Sequence, residues 1–497
     1  MAEPATATLA SALAAFADGT SYEALPGDVT GSVRQRVLDI VGLCVAAHRL
    51  PTSAAITAHV AEQGGRPQAH VIGGGATAVP APLAALANGV LAHSLDYDDT
   101  HLPSVLHPSA SVVPAALAAG ELAGASGRET VRAIALGLEV CVRLGMAGYD
   151  EEAGNSTFFE HGQHATSICG TLGGAVAAGV LLGLDEGGLT DVLGIAASTA
   201  SGIIESNRTG GTVKRLHCGW AAQAAVTAAQ LAARGFTGPP TVLEGRFGFF
   251  RAFLHGVYEP AGITRGLGSQ WAVPGIFFKP YPANHFTHAA VDAALELRRR
   301  GLDPERVASV TLGVPAPVIR TIGQPIERKR APESGYQAQF SGPFAVAAAL
   351  YGDGNGLGVG LADYTDELAR DPRRRALMAK VEVVPDDWAT AVFPHQFPAR
   401  LTVVDTEGRT WRAEVPANRG GPLRPLSERD LELKFRDNAA GRLPEAAART
   451  VMERVRRLDT LHNIRELLCP LAEFDHGSAT AGKESGVGRA NGRRQQR

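Results

Sequence analysis

The sequence is short of cysteine. Five are present in 497 residues, at Cys44, Cys141, Cys169, Cys218 and Cys469, and none pair at the spacing of a zinc or iron–sulfur site. An odd, scattered set excludes a disulfide framework and suits thiols in a reducing compartment. The segment Met1–Asp18 contains no Lys or Arg. The basic start of a secretory signal is therefore missing, and the expected location is the cytoplasm. A large excess of one charge is missing too. The formal net charge is −3, so nothing global points to nucleic acid. One chargeless stretch, Ala165–Leu184, is mostly Gly and Ala and includes Thr166, Ser167 and Thr171. It reads as a small-residue helix packed inside a protein rather than as a membrane span. No glycine-rich phosphate loop follows a strand, no GxSxG elbow occurs, and no Cys–His pairing is evident.

What is present is an ordinary globular balance, 45% hydrophobic and 20% charged residues. A chain of this length suggests two to four domains of about 100–200 residues and buries a large core without staples. From residue 30 to about 265 the pattern is one of successive helices. Val33–Val41 has apolar residues at helical spacing, and Ala-rich segments follow at Pro80–Leu95, Val112–Leu122, Thr130–Leu144 and Ala221–Ala233. The texture changes near Gly266. Val310, Leu312 and Val314 alternate as in a strand, Val381–Val384 is a β-branched run, and Leu401–Val404 with Trp411–Val415 reads as a hairpin. Helices are expected at Thr287–Arg300 and Ser341–Leu350. Pro416–Pro425 is a Gly/Pro-rich joint, and helical signals return at Ser427–Arg436 and Pro444–Arg457. The expected architecture is mainly α. A large all-helical domain is built from both chain ends (1–266 and 417–470), a smaller α+β lid occupies 267–416, and a disordered basic tail runs over 477–497, with five Lys/Arg against one Glu.

Four clusters carry chemistry. The first is His93-Ser94-Leu95-Asp96-Tyr97-Asp98-Asp99-Thr100-His101, followed by His107-Pro108-Ser109. A helix running to Pro103 would place His93, Asp96 and Thr100 on one face. Pro108 suits a first helical turn, which puts His107 at a helix N-terminus, where the dipole disfavours imidazolium. A neutral imidazole is what a general base requires. The plain alternative for Asp98, Asp99 and His101 is a solvated helix end. The second cluster, His161-Gly162-Gln163-His164, opens the Gly/Ala helix, whose N-terminus suits a carboxylate or is merely capped by His164. In the third, Lys214 and His217 lie three apart after Arg208-Thr209-Gly210-Gly211, a basic group matched to a carboxylate-rich ligand or simply a surface patch. The fourth is Lys279-Pro280-Tyr281-Pro282 with His285 and His288. His, Lys and Asp together suit proton transfer at a carbon beside a carboxylate.

An ordered series of segments resembles the MmgE/PrpD family. It comprises His93–Thr100 with His107-Pro108-Ser109, His164–Ser167 running into Gly170–Gly173, Lys214–Trp220, Gly235–Pro239, Leu243–Gly245, Lys279–Pro282 and Thr287–Ala290. The family includes 2-methylcitrate dehydratases, cis-aconitate decarboxylases and an iminodisuccinate epimerase. The resemblance implies a helical body with an α+β lid, a homodimer, and an enzyme without metal or organic cofactor acting on a small polycarboxylate, with no membrane or nucleic-acid partner. Its active-site positions fall on Asp96, Thr100, His107, His164, Lys214 and Lys279; His217 and Arg208, from the third cluster itself, are further candidate substrate ligands. In the decarboxylase branch a histidine falls where this chain has Asn284 and a tyrosine where it has Phe344, which argues against decarboxylation. The expected activity is a 2-methylcitrate-dehydratase-like lyase, with dicarboxylate epimerisation and cis-aconitate-type decarboxylation as alternatives. From other classes, Asp96–Asp99 holding Mg²⁺ in a helical enzyme, or a non-catalytic binding protein, fit parts of the pattern.

Overall fold

A computed structural model describes residues 7–152, 154–206, 210–352 and 356–472. Arg208 and the expected tail over 477–497 lie outside the described residues. The long helices of the first half are α1 Leu9–Gly19, α2 Gly27–Ala47, α3 Pro51–Gln63, α4 Ala81–His93, α5 Ser109–Ala123, α6 Gly127–Ala147, α7 Ala165–Leu181, α8 Glu186–Thr199 and α9 Lys214–Ala232. Their ends are marked locally. Ser126 and Glu129 form a reciprocal capping box at the start of α6, and Gly124 ends α5 in the left-handed region at φ 69°.

The small residues of α4, α6, α7 and α9 let backbones approach closely. A Cβ on Gly89 of α4 would lie 2.7 Å from Gly219 Cα of α9, and one on Gly219 would lie 2.3 Å from the Leu86 carbonyl oxygen. Gly137 of α6 and Gly173 of α7 meet in the same way, each within 2.6 Å of the other's carbonyl oxygen if given a Cβ. Any side chain at these points would force the helices apart.

The apolar core built by these helices runs to Ile276 and resumes with Phe435 and the residues through Leu471. The late helices are α12 Glu428–Ala439, α13 Glu445–Arg456 and α14 Arg465–Ala472. α12 lies on α2, with Lys434 Nζ 2.7 Å from the Asp39 carboxylate, both buried. A second core extends from Tyr281 to Val415. It contains α10 His288–Arg299, α11 Gly342–Tyr351 and strands β1 Val307–Val314, β2 Val381–Pro385, β3 Ala399–Asp405 and β4 Thr410–Val415. The strand order is β2-β1-β3-β4. β1 pairs in parallel with β2 and antiparallel with β3, and β3–β4 is the hairpin expected from Leu401–Val415. Strict alternation of burial along β3 explains why it was visible as a strand. Among the described residues no single helix is long and apolar enough to cross a membrane; one sharply bent pair, α2 with α3, passes on length and composition, though α2 is mostly buried in the core.

One local expectation is corrected. The chain does not stay helical to Pro103: α4 stops at His93. Asp96 takes a left-handed φ of 51°, and Thr100 pairs as an isolated bridge with Phe277. His93, Asp96 and Thr100 therefore do not share a helix face. The reason is tertiary. Asp99 is drawn to Arg36 on α2 at 2.8 Å, and Asp96 to lysines on α9 and on the 277–288 segment. These pairings override the helical tendency of a short polar run.

Candidate active site

The side chains converge where the ends of α4, α7 and α9 meet the loop 94–107, with the 277–288 segment laid across them. His107 directly precedes Pro108, the N-cap of α5. Its backbone N–H donates to the Thr166 hydroxyl at 3.1 Å, and its Nδ1 lies 2.5 Å from the Asp99 carbonyl oxygen and 3.2 Å from Thr100 Oγ1. A carbonyl only accepts, so Nδ1 carries the proton and Nε2 keeps its lone pair. Burial, with the nearby charges of Lys279, His93 and Lys214 outweighing Asp98, lowers the His107 pKa to about 4. The result is a neutral imidazole with a defined basic nitrogen.

Asp99 sets this tautomer, and it is held firmly. Its carboxylate takes the Arg36 guanidinium at 2.8 Å, the Ser109 N–H at 3.2 Å and the Ser109 hydroxyl. Arg36 also donates to the Ile276 carbonyl at 2.6 Å and lies over the Phe278 ring. Asp98, in turn, is fully buried against His93 Nδ1 at 2.7 Å. Burial disfavours a charged His93, but Asp98 and the neighbouring Cys218 raise its pKa to about 10. The solvated-end alternative for Asp98, Asp99 and His101 is thus overturned; all three are buried.

Asp96 is the meeting point of two cations. Lys214 Nζ is 3.3 Å from Oδ1, and Lys279 Nζ is 3.6 Å from Oδ2 while donating to the Asp96 carbonyl at 2.8 Å. Burial opposes ionisation of Asp96, but Lys279, Lys214 and His107 bring its pKa down to about 2. A left-handed backbone at a non-glycine residue costs on the order of 1–3 kcal/mol, and these two contacts hold it there. Burial lowers the Lys214 pKa, but Asp96, Tyr336 and Asp98 more than restore it, so it is raised overall and the ammonium stays charged.

His164 occupies the N-cap position of α7 without a side-chain cap bond. Instead its Nδ1 meets His217 Nδ1 at 3.0 Å. Burial first, then His93, lowers both rings, His217 to about 4. The rings of His107 and His164 lie 5.7 and 5.6 Å from that of His93. Asp96, Thr100, His107, His164, Lys214, His217 and Lys279 are therefore brought together from four segments. His161 is not; it stacks on His255 at 4.1 Å. Asn284 caps a short turn through the Phe286 N–H, and Phe344 is buried against Tyr364 in the second core. Sequence reasoning placed His93 and Asp98 in the first cluster but assigned no role to them or to Thr166. The only signal was that His93 and Asp98 sat in the same His/Asp-rich run. The Mg²⁺ alternative does not fit the donors. Asp96, Asp98 and Asp99 are each matched to a cation of the protein's own, leaving no set of carboxylates converging on one ion.

This geometry can be set beside known proteins. Residues 11–260 match the MmgE/PrpD N-terminal domain and residues 281–460 the MmgE/PrpD C-terminal domain. The chain is 30% identical over 393 residues to the cis-aconitate decarboxylase of Homo sapiens, covering 78% of each chain. It is 30% identical over 296 residues to that of Aspergillus terreus, covering 57% of this chain and 59% of the relative. It is 24% identical over 470 residues to the cis-aconitate decarboxylase-like protein oryM of Aspergillus oryzae, covering 89% and 93%. With both domains matched in order, the chain belongs to the MmgE/PrpD family and is a lyase-type enzyme.

Proposed function

We propose that the enzyme abstracts a proton from a carbon beside a carboxylate of a small di- or tricarboxylate and expels a β-hydroxyl as water, as a 2-methylcitrate-dehydratase-like lyase. The observation that carries this reading is His107, whose Nε2 is a free base beside two lysines. His107 Nε2 takes the proton, and the electron pair passes into an enolate-like carboxylate steadied by Lys279, Lys214 and protonated His93. The pair then returns to form the alkene as the carbon–oxygen bond breaks, and Lys214 protonates the departing hydroxyl. His107 has gained one proton and Lys214 has lost one, and exchange with solvent resets both. His164, His217 and Thr100 donate hydrogen bonds to the substrate's other oxygens, and Asp96 fixes the two lysines. Arg208 is assigned to the substrate carboxylates from the sequence alone.

Decarboxylation is the second reading, favoured by the names of the relatives at 30% identity. Loss of CO₂ leaves a carbanion that needs a proton donor rather than a base. A histidine with its pKa near 4 is a poor donor at neutral pH, so on that reading Lys214 or Lys279 would deliver the proton. Incubation with hydroxylated and unsaturated tricarboxylates in D₂O, followed by NMR, separates the two. Alkene appearing from a hydroxy acid supports dehydration. CO₂ release with deuterium on the remaining carbon supports decarboxylation. Failure to exchange or convert any polycarboxylate would sink both and leave a binding protein.

The pH profile follows from the same base. His107 must be neutral, its pKa in the folded protein is near 4, and it protonates only below that range. We expect kcat/KM to stay flat from about pH 8 down to about pH 5 and to fall below it, rather than along a limb near the unperturbed value of about 6.5. An acidic limb near that unperturbed value, with the fold intact by circular dichroism, would remove His107 from the role.

We also propose a homodimer. Val213, Leu216 and Trp220 lie at helical spacing across the start of α9, 48%, 37% and 49% exposed, with Ile203 nearby in sequence and 68% exposed. Such an apolar face suits a self-complementary contact with a second copy of this chain. Light scattering should give twice the monomer mass, and Trp220→Glu should shift the mass toward the monomer. A monomer at micromolar concentration in the unmodified protein would overturn this.

A further inference from the structure

A cavity of about 660 Å³ lies between α10, the loop 356–358 and the linker after β4, with no residue of the loop 94–107 or of the 277–288 segment in its lining. That volume falls within the range of about 300–1,000 Å³ usual for small-molecule sites. Its walls carry Arg298 and Arg299 from α10 and Arg419 and Arg424 from the linker, against two carboxylates, Asp292 and Glu296. None of these groups takes part in the chemistry at His107.

The arginines are positioned but not used up. Arg424 Nη1 lies 3.0 Å from the Asp292 carboxylate and donates to the Ala417 carbonyl at 2.7 Å. Arg419 Nη1 donates to the Tyr281 hydroxyl oxygen at 3.3 Å, and its Nη2 lies 3.6 Å from Asp430. Arg299 is exposed, with one contact to the Leu295 carbonyl at 3.4 Å. Each guanidinium offers five N–H donors in a planar fork matched to carboxylate or phosphate oxygens, so most remain for a ligand.

The cavity is wired to the Lys279 segment. The buried Tyr281 hydroxyl donates to Asp292 at 2.6 Å, and Tyr281 follows Lys279 by two residues. On the other side, Tyr97 donates to the Pro280 carbonyl at 2.9 Å and Lys279 to that of Asp96. Asp292 is thus shared between Tyr281, which belongs to the segment over the active site, and Arg424, which lines the cavity.

We propose that this cleft binds a compact polyanion, either a phosphorylated small molecule or a polycarboxylate, through Arg298, Arg299, Arg419 and Arg424. The Lys279–Tyr281 segment senses it through Asp292. An anion that engages Arg424 loosens its hold on Asp292 and so alters the bond that anchors Tyr281. This site stands independently of which reaction His107 performs.

The test is calorimetric titration of the full chain with tripolyphosphate and, separately, tricarballylate, in wild type, Lys214→Met, Arg299→Ser and Arg299→Ser/Arg419→Gln. Lys214→Met separates any binding around His107 from binding in the cleft. Expected is binding of at least one probe that persists in Lys214→Met and weakens at least tenfold in the double arginine variant. The single, exposed Arg299→Ser, which leaves the buried contacts in place, should weaken it at least threefold. The probe that binds identifies the ligand class. Hydrogen exchange over 279–285 should change on binding. No binding of either probe, or binding lost in Lys214→Met but kept in both arginine variants, would overturn the site. Binding with unchanged exchange over 279–285 would overturn the sensing.

Discussion

His107→Gln is expected to lower kcat by about 10²–10⁴-fold, the usual worth of one acid–base group. The replacement keeps what the fold needs. The backbone N–H still reaches Thr166, and a carboxamide can still donate to the Asp99 carbonyl that now takes Nδ1–H. What disappears is the basic nitrogen. Lys214→Met is expected to cost a similar factor, since it removes the acid and one of the two cations at Asp96 while Lys279 remains. Steady-state kinetics with circular dichroism as the fold control decides the matter. Activity within about threefold of wild type in both variants would rule the mechanism out. If the enzyme epimerises its substrate instead, one variant should still exchange the proton of a single enantiomer.

Arg36→Met should produce the largest loss of stability, about 3–5 kcal/mol, because it strands the Asp99 carboxylate in the interior. Both side chains are about 1% exposed, so water cannot take over the guanidinium's role. Burial already pushes the Asp99 carboxyl up, and Arg36 and Ser109 pull it back. Without Arg36 that carboxyl rises further, and protonation relieves the stranded charge as the pH falls. The gap between variant and wild type in urea unfolding should therefore be wide near pH 8 and narrower near pH 5. A loss below about 1 kcal/mol at both values would show that the pair contributes no more than an exposed one. Because Asp99 also presents the carbonyl that fixes the His107 tautomer, the surviving folded fraction should be slow.

The helical half of the chain was legible because alanine-rich runs with apolar spacing have few other uses, and β3 because it alternates strictly between buried and half-buried residues. The parallel pairing of β1 with β2 was not, since 66 residues separate the end of β1 at Val314 from the start of β2 at Val381 and no turn chemistry links them. At the site, local spacing misplaced Asp96 and Thr100 on a helix that ends at His93. The conformation there is decided by Arg36, Lys214 and Lys279, which no window around residue 96 contains. The resemblance to the family named the converging positions where spacing alone did not. The partnership of His93 with Asp98 escaped both, since a buried ion pair and two solvated side chains look alike in a linear sequence.

The contact between Gly89 and Gly219 acquires a second meaning once the site is known. α4 ends in His93, and α9 begins with Lys214 and His217, so the two glycines act as a ruler: they set how far apart the ends of these helices stand. That separation is fixed by atoms that are absent. One methyl group at either position would act as a wedge about 6 Å of helix rise from His93 or about 7.5 Å from Lys214 (on the order of 1.5 Å per residue), and a displacement of about 1 Å can cost on the order of 10²-fold in rate. Part of the catalytic specification is therefore written in residues that never touch a substrate and have no functional group at all.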